Sequence, residues 1–212
     1  HEDDVFTLIG PKKCDVPWKD LERQGWIATA RCVEIRVDLP KAEKMHYLSL
    51  TPKQHIRLAY ENPVKLSVVK ELLKAHTEDQ VLIIGQYLSQ LERFSSECNI
   101  PMITGATPNK LRDELYGAFR TGELKTLVLS KVGNFAVDLP DANVAIQISG
   151  AFGSRQEEAQ RLGRILRPKK KNEQAVFYSV VTRESKELDF AMKRQLFLTE
   201  QGYSYEIQYK EG

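Results

Sequence analysis

The residues best suited to chemistry lie in one stretch, Gln160-Arg161-Leu162-Gly163-Arg164-Ile165-Leu166-Arg167-Pro168. At 100° per residue, Gln160, Arg161, Arg164 and Arg167 share one helical face, and Leu162, Ile165 and Leu166 share the other. Such a helix buries its aliphatic side and presents three guanidiniums together. Pro168 disfavours helical geometry at the residue before it, so the helix is expected to end at Arg167. Guanidinium stays charged and forks onto paired oxygens, so three mutually repelling cations on one face are reconciled by a bridging anion, with a nucleoside triphosphate as the natural example. A solvated basic face has the same periodicity. The local surplus favours the anion: from Arg155 to Lys171 there are seven basic and two acidic residues, in a chain whose net charge is only +2.

A second candidate is Thr104-Gly105-Ala106-Thr107-Pro108, which ends an apolar run and opens an amphipathic one. Free amides at a helix start receive phosphate, which makes Gly105 and Thr107 candidate nucleic-acid contacts. Helix capping accounts for Thr107 and Pro108 equally well. Histidines at 1, 46, 55 and 76 and cysteines at 14, 32 and 98 show no metal-ligand or disulfide spacing.

The elements that must position these residues alternate. Short apolar runs at Val81 to Ile84, Pro101 to Thr104, Thr126 to Ser130, Val144 to Ser149 and Ala175 to Val181 read as strands buried on both faces. Amphipathic segments lie between them. Asn62 and Pro63 make a cap and first-turn pair before a stripe of Leu66, Val68, Val69, Leu72 and Leu73, and a further helix carries Leu111, Leu115 and Phe119. The first sixty residues are less regular, with an extended stretch around Val33 to Leu39 and a charged helical region from about Lys41 to Asn62, while Arg183 to Gln201 reads as a closing helix. The alternation predicts an α/β fold, a doubly wound and mostly parallel sheet with helices on both faces and ligands at the carboxyl ends of its strands.

Length and composition fit that class. The chain has 212 residues, 42% hydrophobic and 28% charged, which suits a packed domain and excludes a disordered chain. No apolar run approaches a membrane span and no signal segment opens the chain, so an intracellular protein is expected. The first residue is His1 rather than methionine, which suggests a piece of something longer.

The spacing Q-R-x-G-R-x-x-R resembles motif VI of superfamily 2 helicases. A narrower resemblance, to the XPB family of DNA repair helicases, is carried by Leu8 to Lys12, Pro17 to Glu22, Gln24 to Ala28, Ser130 to Gly133, Asp138-Leu139-Pro140, Gly153 to Arg167, and Lys193-Arg194-Gln195 leading into Gln201-Gly202-Tyr203. It spans nearly the whole chain and points to a prokaryotic, cytoplasmic, nucleoid-associated member. The resemblance implies a RecA-like second motor lobe at 63–212, with 1–40 as a lead-in packing on the lobe and 41–62 as an abbreviated thumb-like helical insertion. No G-x-x-x-x-G-K-S/T loop and no D-E-x-H box occurs, so ATP with Mg²⁺ would be bound mainly by a first lobe and this chain alone would not hydrolyse it.

By the same resemblance Arg164 and Arg167 are the arginines that reach the γ-phosphate across the interlobe cleft, and Gln160 and Arg161 link nucleotide to lobe interface. Asp138 takes the acidic position of motif V near the ribose, and an ordinary turn before Leu139-Pro140 explains it too. Ser130 takes the place of the motif V threonine that contacts nucleic-acid phosphate, whereas Ala136 departs from the usual glycine. The implied function is that of a motor lobe of an ATP-dependent 3′–5′ DNA helicase in excision repair, with the N-terminal lobe, DNA and a nuclease as partners and no membrane. Its rivals are a double-stranded DNA translocase without unwinding and a non-catalytic binding module that keeps the shape.

Overall fold

Val81-Leu82-Ile83-Ile84 has no polar side to offer water, so a strand made of it must be covered on both faces. The computed structural model describes residues 30–47, 50–130, 142–149, 174–200 and 203–210. Among them the elements run β1 (Ala30–Val37), α1 (Lys41–Tyr47), α2 (Pro52–Tyr60), α3 (Val64–Ala75), β2 (Val81–Gly85), α4 (Leu88–Cys98), β3 (Met102–Ile103), α5 (Asn109–Thr121), β4 (Thr126–Ser130), β5 (Val144–Gln147), β6 (Ala175–Thr182), α6 (Lys186–Glu200) and β7 (Ser204–Lys210). The seven strands form one sheet in the order β3-β4-β2-β5-β6-β1-β7, and every ladder between them is parallel.

All five residues of β2 are buried. Alternation divides them between two cores. Val81 and Ile83 pack with Leu66, Val68 and Val69 of α3 and Leu91 and Phe94 of α4, while Leu82 and Ile84 pack with Tyr116 and Phe119 of α5. The second face continues under α6, where Leu198 meets Cys32, Ala145 and Phe177. The expected doubly wound α/β sheet with helices on both faces is therefore the observed one.

Local chemistry sets the helix ends. Asn62 Oδ1 accepts the Val64 N–H at 3.0 Å, so Asn62 caps the first turn of α3 while Pro63 holds its backbone at φ −63°. α5 closes on Gly122 at φ +78°, a left-handed position that glycine takes without a Cβ penalty. The predicted strand at Pro101 to Thr104 shortens to Met102–Ile103, which among the described residues lies at the sheet edge and pairs only with β4. The run from Val144 leaves the ladder after Gln147.

Residues before 63 are part of the packing. β1 lies between β6 and β7, with Val33, Ile35 and Val37 in the main core. Ala59 and Tyr60 at the end of α2 are buried, and Thr182 Oγ1 donates to the Ala59 carbonyl at 2.7 Å.

Candidate functional site

Among the described strands, the neighbours β2 and β5 lead away from each other. β2 leads through α4 to β3 on one side, and its neighbour β5 leads to β6 on the other. In parallel α/β sheets ligands gather outside the carboxyl ends of such a pair. Here those ends are Gly85-Gln86 and Ile148-Ser149, joined by a hydrogen bond from the Gln86 N–H to Ser149 Oγ at 2.9 Å. The backbone approach at Gly85 is close. A Cβ there would stand 2.8 Å from Leu91 Cδ2, 3.0 Å from Ser149 Oγ and 3.2 Å from Ile148 Cγ1.

Ser130, one of the three described candidates, ends β4 directly opposite Gly85. It is buried, with 2% of its surface exposed. Gly105 and Thr107 lie in the turn after β3, the next strand along the same edge. Gly105 is exposed and Thr107 half-buried. The fold thus brings Ser130, Gly105 and Thr107 to one edge of the sheet, at the ends of adjacent strands.

The turn is braced from within. Thr107 Oγ1 accepts the Thr104 N–H at 2.9 Å, the Thr107 N–H donates to the Thr104 carbonyl at 3.2 Å, and Thr104 Oγ1 accepts the Ala106 N–H at 3.2 Å. The Thr107 hydroxyl oxygen is thus engaged in the turn while its O–H can still donate, and α5, with Pro108 at its N-cap position, has no side-chain cap. Arg112, one turn into α5, donates through Nη2 to the carbonyls of Thr104 at 3.4 Å and Thr107 at 3.2 Å. Sequence reading missed Arg112. Its only signal was a cation one helical turn beyond the Thr104–Pro108 motif.

A second missed feature lies behind this edge. Lys65 on α3 is fully buried, and its ammonium donates to both oxygens of Glu187, at 2.7 and 2.8 Å, and to the Ile148 carbonyl at 2.8 Å. Glu187 also accepts the Thr182 N–H at 2.9 Å. Asn62 Nδ2 completes the group by donating to the Asp38 carbonyl at 3.0 Å and to Thr182 Oγ1 at 3.1 Å. Loss of hydration pushes the Lys65 ammonium below and the Glu187 carboxyl above their ordinary ranges, while their mutual attraction opposes both shifts. One signal was present in the sequence: Lys65 falls at i−3, i−4 and i−7 from Val68, Val69 and Leu72, inside the apolar stripe.

The remaining candidates, Asp138, Gln160, Arg161, Arg164 and Arg167, lie outside the described residues. Ser130 and Ser149 are the described residues nearest before them in the chain. Among the described residues, no group of three or more His, Cys, Asp or Glu is placed to hold a metal ion, and no helix is long and apolar enough to cross a membrane.

The seven-stranded parallel sheet with its helices is similar to the RecA-like domains of helicases. The C-terminal domain of the DEAD-box protein Dbp5 superposes with a TM-score of 0.61 at 15% identity, over 87% of this chain and 91% of that one. The T4 protein UvsW superposes with a TM-score of 0.63 at 12% identity, over 86% of this chain and 42% of that one. These likenesses show the fold alone. The particular family follows from sequence: residues 21–211 match the model of the ERCC3/RAD25/XPB C-terminal helicase domain, and the chain belongs to the XPB family. It is 54% identical to the DNA 3′-5′ helicase XPB of Mycobacterium tuberculosis, over 98% of this chain and 38% of that protein. It is 35% identical to the Saccharomyces cerevisiae general transcription and DNA repair factor IIH helicase/translocase subunit XPB/SSL2, over 96% of this chain and 25% of that one. The chain spans between a quarter and two-fifths of the length of these two relatives.

Proposed function

We propose that this chain is the second motor lobe of an ATP-dependent 3′–5′ DNA helicase that opens duplex DNA in excision repair. Membership of the XPB family carries the reading. In it Arg164 and Arg167 contact the γ-phosphate of a nucleotide whose Mg²⁺ and phosphate loop belong to a companion N-terminal lobe, and Gln160 and Arg161 join that nucleotide to this lobe. Asp138 accepts a ribose hydroxyl. Bound ATP supplies the free energy of phosphoryl transfer, and an arginine donated in trans contributes about 10³–10⁵ in rate in other nucleotide hydrolases.

Gly105, Thr107 and Ser130 contact the DNA backbone. Phosphate contacts position a protein on a strand without reading its sequence, so the lobe is expected to act with little sequence preference. Its placement along one sheet edge suits a strand that crosses the ends of β3 and β4. Ser130 meets phosphate only after the edge opens toward solvent, because its side chain is buried in the isolated lobe. A second reading, translocation along duplex DNA without strand separation, draws on the yeast relative, which is called a helicase/translocase. A nuclease partner and a cytoplasmic site of action at the nucleoid accompany the repair role.

The test is DNA-stimulated ATP hydrolysis by this chain, by the two-lobe protein and by its Arg164→Ala variant. Silence from the chain alone, activity from two lobes and collapse in the variant are expected. Hydrolysis by the chain alone would show that it holds a complete site of its own. Strand displacement by the two-lobe protein separates unwinding from translocation, and ATP-driven movement without displacement would sink the helicase reading.

A further inference from the structure

Arg112 stands where α5 would be expected to carry an apolar side chain. It precedes Tyr116 by four residues and Phe119 by seven, so the three share one helical face, and Tyr116 and Phe119 are core residues. Stability does not account for a guanidinium there. Its Nε is buried without a hydrogen-bond partner among the described residues, and a sealed donor left unpaired carries a desolvation penalty. A leucine would continue the stripe without one.

What the guanidinium does hold is the turn before its own helix. Nη2 donates to the carbonyls of Thr104 at 3.4 Å and Thr107 at 3.2 Å. The Thr104 carbonyl shares its peptide plane with the Gly105 N–H, and across a trans peptide the two point in opposite directions. Arg112, bonded on the carbonyl side, therefore turns the Gly105 N–H away from itself. The other amides of the turn are engaged: Thr107 Oγ1 accepts the Thr104 N–H, Thr104 Oγ1 accepts the Ala106 N–H, and the Thr104 carbonyl accepts the Thr107 N–H. The Gly105 N–H makes no hydrogen bond among the described residues, and Gly105 is exposed. One free donor is thus left after β3, beside the strand that ends at Ser130.

We propose that Arg112 is a positioning residue for the DNA backbone: by holding the Thr104 carbonyl it fixes the peptide plane that aims the Gly105 N–H at a phosphate. This rests on the reading of Gly105 as a DNA contact given above. Arg112 does not touch DNA. It acts through one peptide group, so it supplies a direction at the interface rather than a charge.

The experiment uses the full two-lobe protein and three variants, Arg112→Lys, Arg112→Leu and Gly105→Asp. DNA affinity is followed by fluorescence anisotropy across a salt series, and DNA-stimulated ATP hydrolysis gives kcat and the KM for DNA. Lysine keeps the charge but is shorter, and bonds already 3.2 and 3.4 Å long fall out of its reach. Leucine removes the charge and extends the apolar stripe. Both variants are expected to stay folded by circular dichroism and melting temperature, and to weaken DNA binding by about 10-fold. The KM for DNA should rise in step, with kcat at saturating DNA unchanged. The slope of log affinity against log salt is expected to keep its wild-type value in both, because no cation has been taken from a phosphate. Gly105→Asp sets a carboxylate against the strand and is expected to bind DNA at least about 10-fold more weakly.

Wild-type affinity in Arg112→Lys, beside a weakened Gly105→Asp, overturns the positioning role and leaves the DNA-binding edge intact. A salt slope reduced by about 0.7–0.9 in Arg112→Leu also overturns it, because the guanidinium would then neutralise a phosphate itself. So does a fall in kcat at unchanged KM for DNA, which would place its effect on the chemistry. Undiminished affinity in Gly105→Asp removes the reading of Gly105 and the positioning role with it. Should Arg112→Leu unfold, Arg112→Lys decides alone. A rise of about 3-fold or more in the KM for DNA, at unchanged kcat, salt slope and melting temperature, supports the proposal, and a wild-type KM refutes it.

Discussion

The two edges of the sheet are built from different chemistry. At the amino edge, Asn143 Oδ1 accepts the Gln80 N–H at 2.7 Å and Asn143 Nδ2 donates to Asp79. His76 sits between Asp79 Oδ2 at 2.7 Å and the Tyr178 hydroxyl at 3.0 Å. These groups are half-buried, so water can replace a lost partner. The carboxyl edge instead encloses Lys65, Glu187, Asn62 and Thr182, all buried. A polar group sealed from water must keep its partner or suffer its full desolvation cost. The amino edge closes loops, whereas the carboxyl edge commits buried charge to a fixed geometry, and that is where α/β sheets carry their sites.

The sharpest way to break this contrast is Lys65→Met alone. It strands the Glu187 carboxylate in a dry site and is expected to cost about 3–5 kcal/mol, with Lys65→Met/Glu187→Met recovering most of the loss. Urea midpoints of the single and double variants check it. If the single variant unfolds no more easily than the double, the edge is wetter than its burial indicates. Gly85→Ala probes the same edge by steric means. Its Cβ must displace Leu91 or Ser149, at an expected cost of about 1–3 kcal/mol.

On the amino edge the expected effects are smaller and have no functional echo. Asn143→Ala removes the acceptor for the Gln80 N–H and the donor to Asp79. Because these groups reach solvent, a loss of about 1 kcal/mol is expected by denaturant titration, with ATP turnover of the two-lobe protein unchanged. A stability loss as large as that of Lys65→Met would erase the distinction between the edges.

How much of this could be read from sequence depended on how local the signal was. β2 announces itself as an unbroken apolar run, and β4 and β6 as mostly apolar ones, since strands buried on both faces need little that is polar. α3 was legible from Asn62-Pro63 and its stripe. β7 was not. Ser204–Lys210 alternates Tyr205, Ile207 and Tyr209 with polar residues, and among the described residues it pairs with β1, far away in the chain. The places of Gly105, Thr107 and Ser130, after β3 and at the end of β4, were legible because strand ends and helix starts are marked locally. The Lys65–Glu187 pair was invisible as a pair, its members 122 residues apart, although a lysine inside an apolar stripe was already an anomaly. No local pattern names the partner of a buried charge, because the fold alone brings the two together.

The smallest expected effect lies away from both edges and calibrates them. Glu97, at the end of α4, accepts Lys70 Nζ at 2.8 Å and Arg93 Nε at 2.9 Å, all three on the surface. Lys70 first, and then Arg93, hold its carboxyl below the usual carboxylate range. A carboxyl whose pKa is depressed on folding adds stability above its unfolded pKa, and that contribution fades as pH falls through the folded one. Melting curves of wild type and Glu97→Gln should therefore differ slightly at pH 7 and converge under acid. Exposed pairs are screened, so about 1 M salt should remove most of the difference even at pH 7. The same salt should leave the penalty of Lys65→Met in place, because no counterion reaches a sealed carboxylate. Equal salt sensitivity of the two variants would mean that Glu187 is hydrated after all, and the buried carboxyl edge would then be a surface ion pair like Glu97.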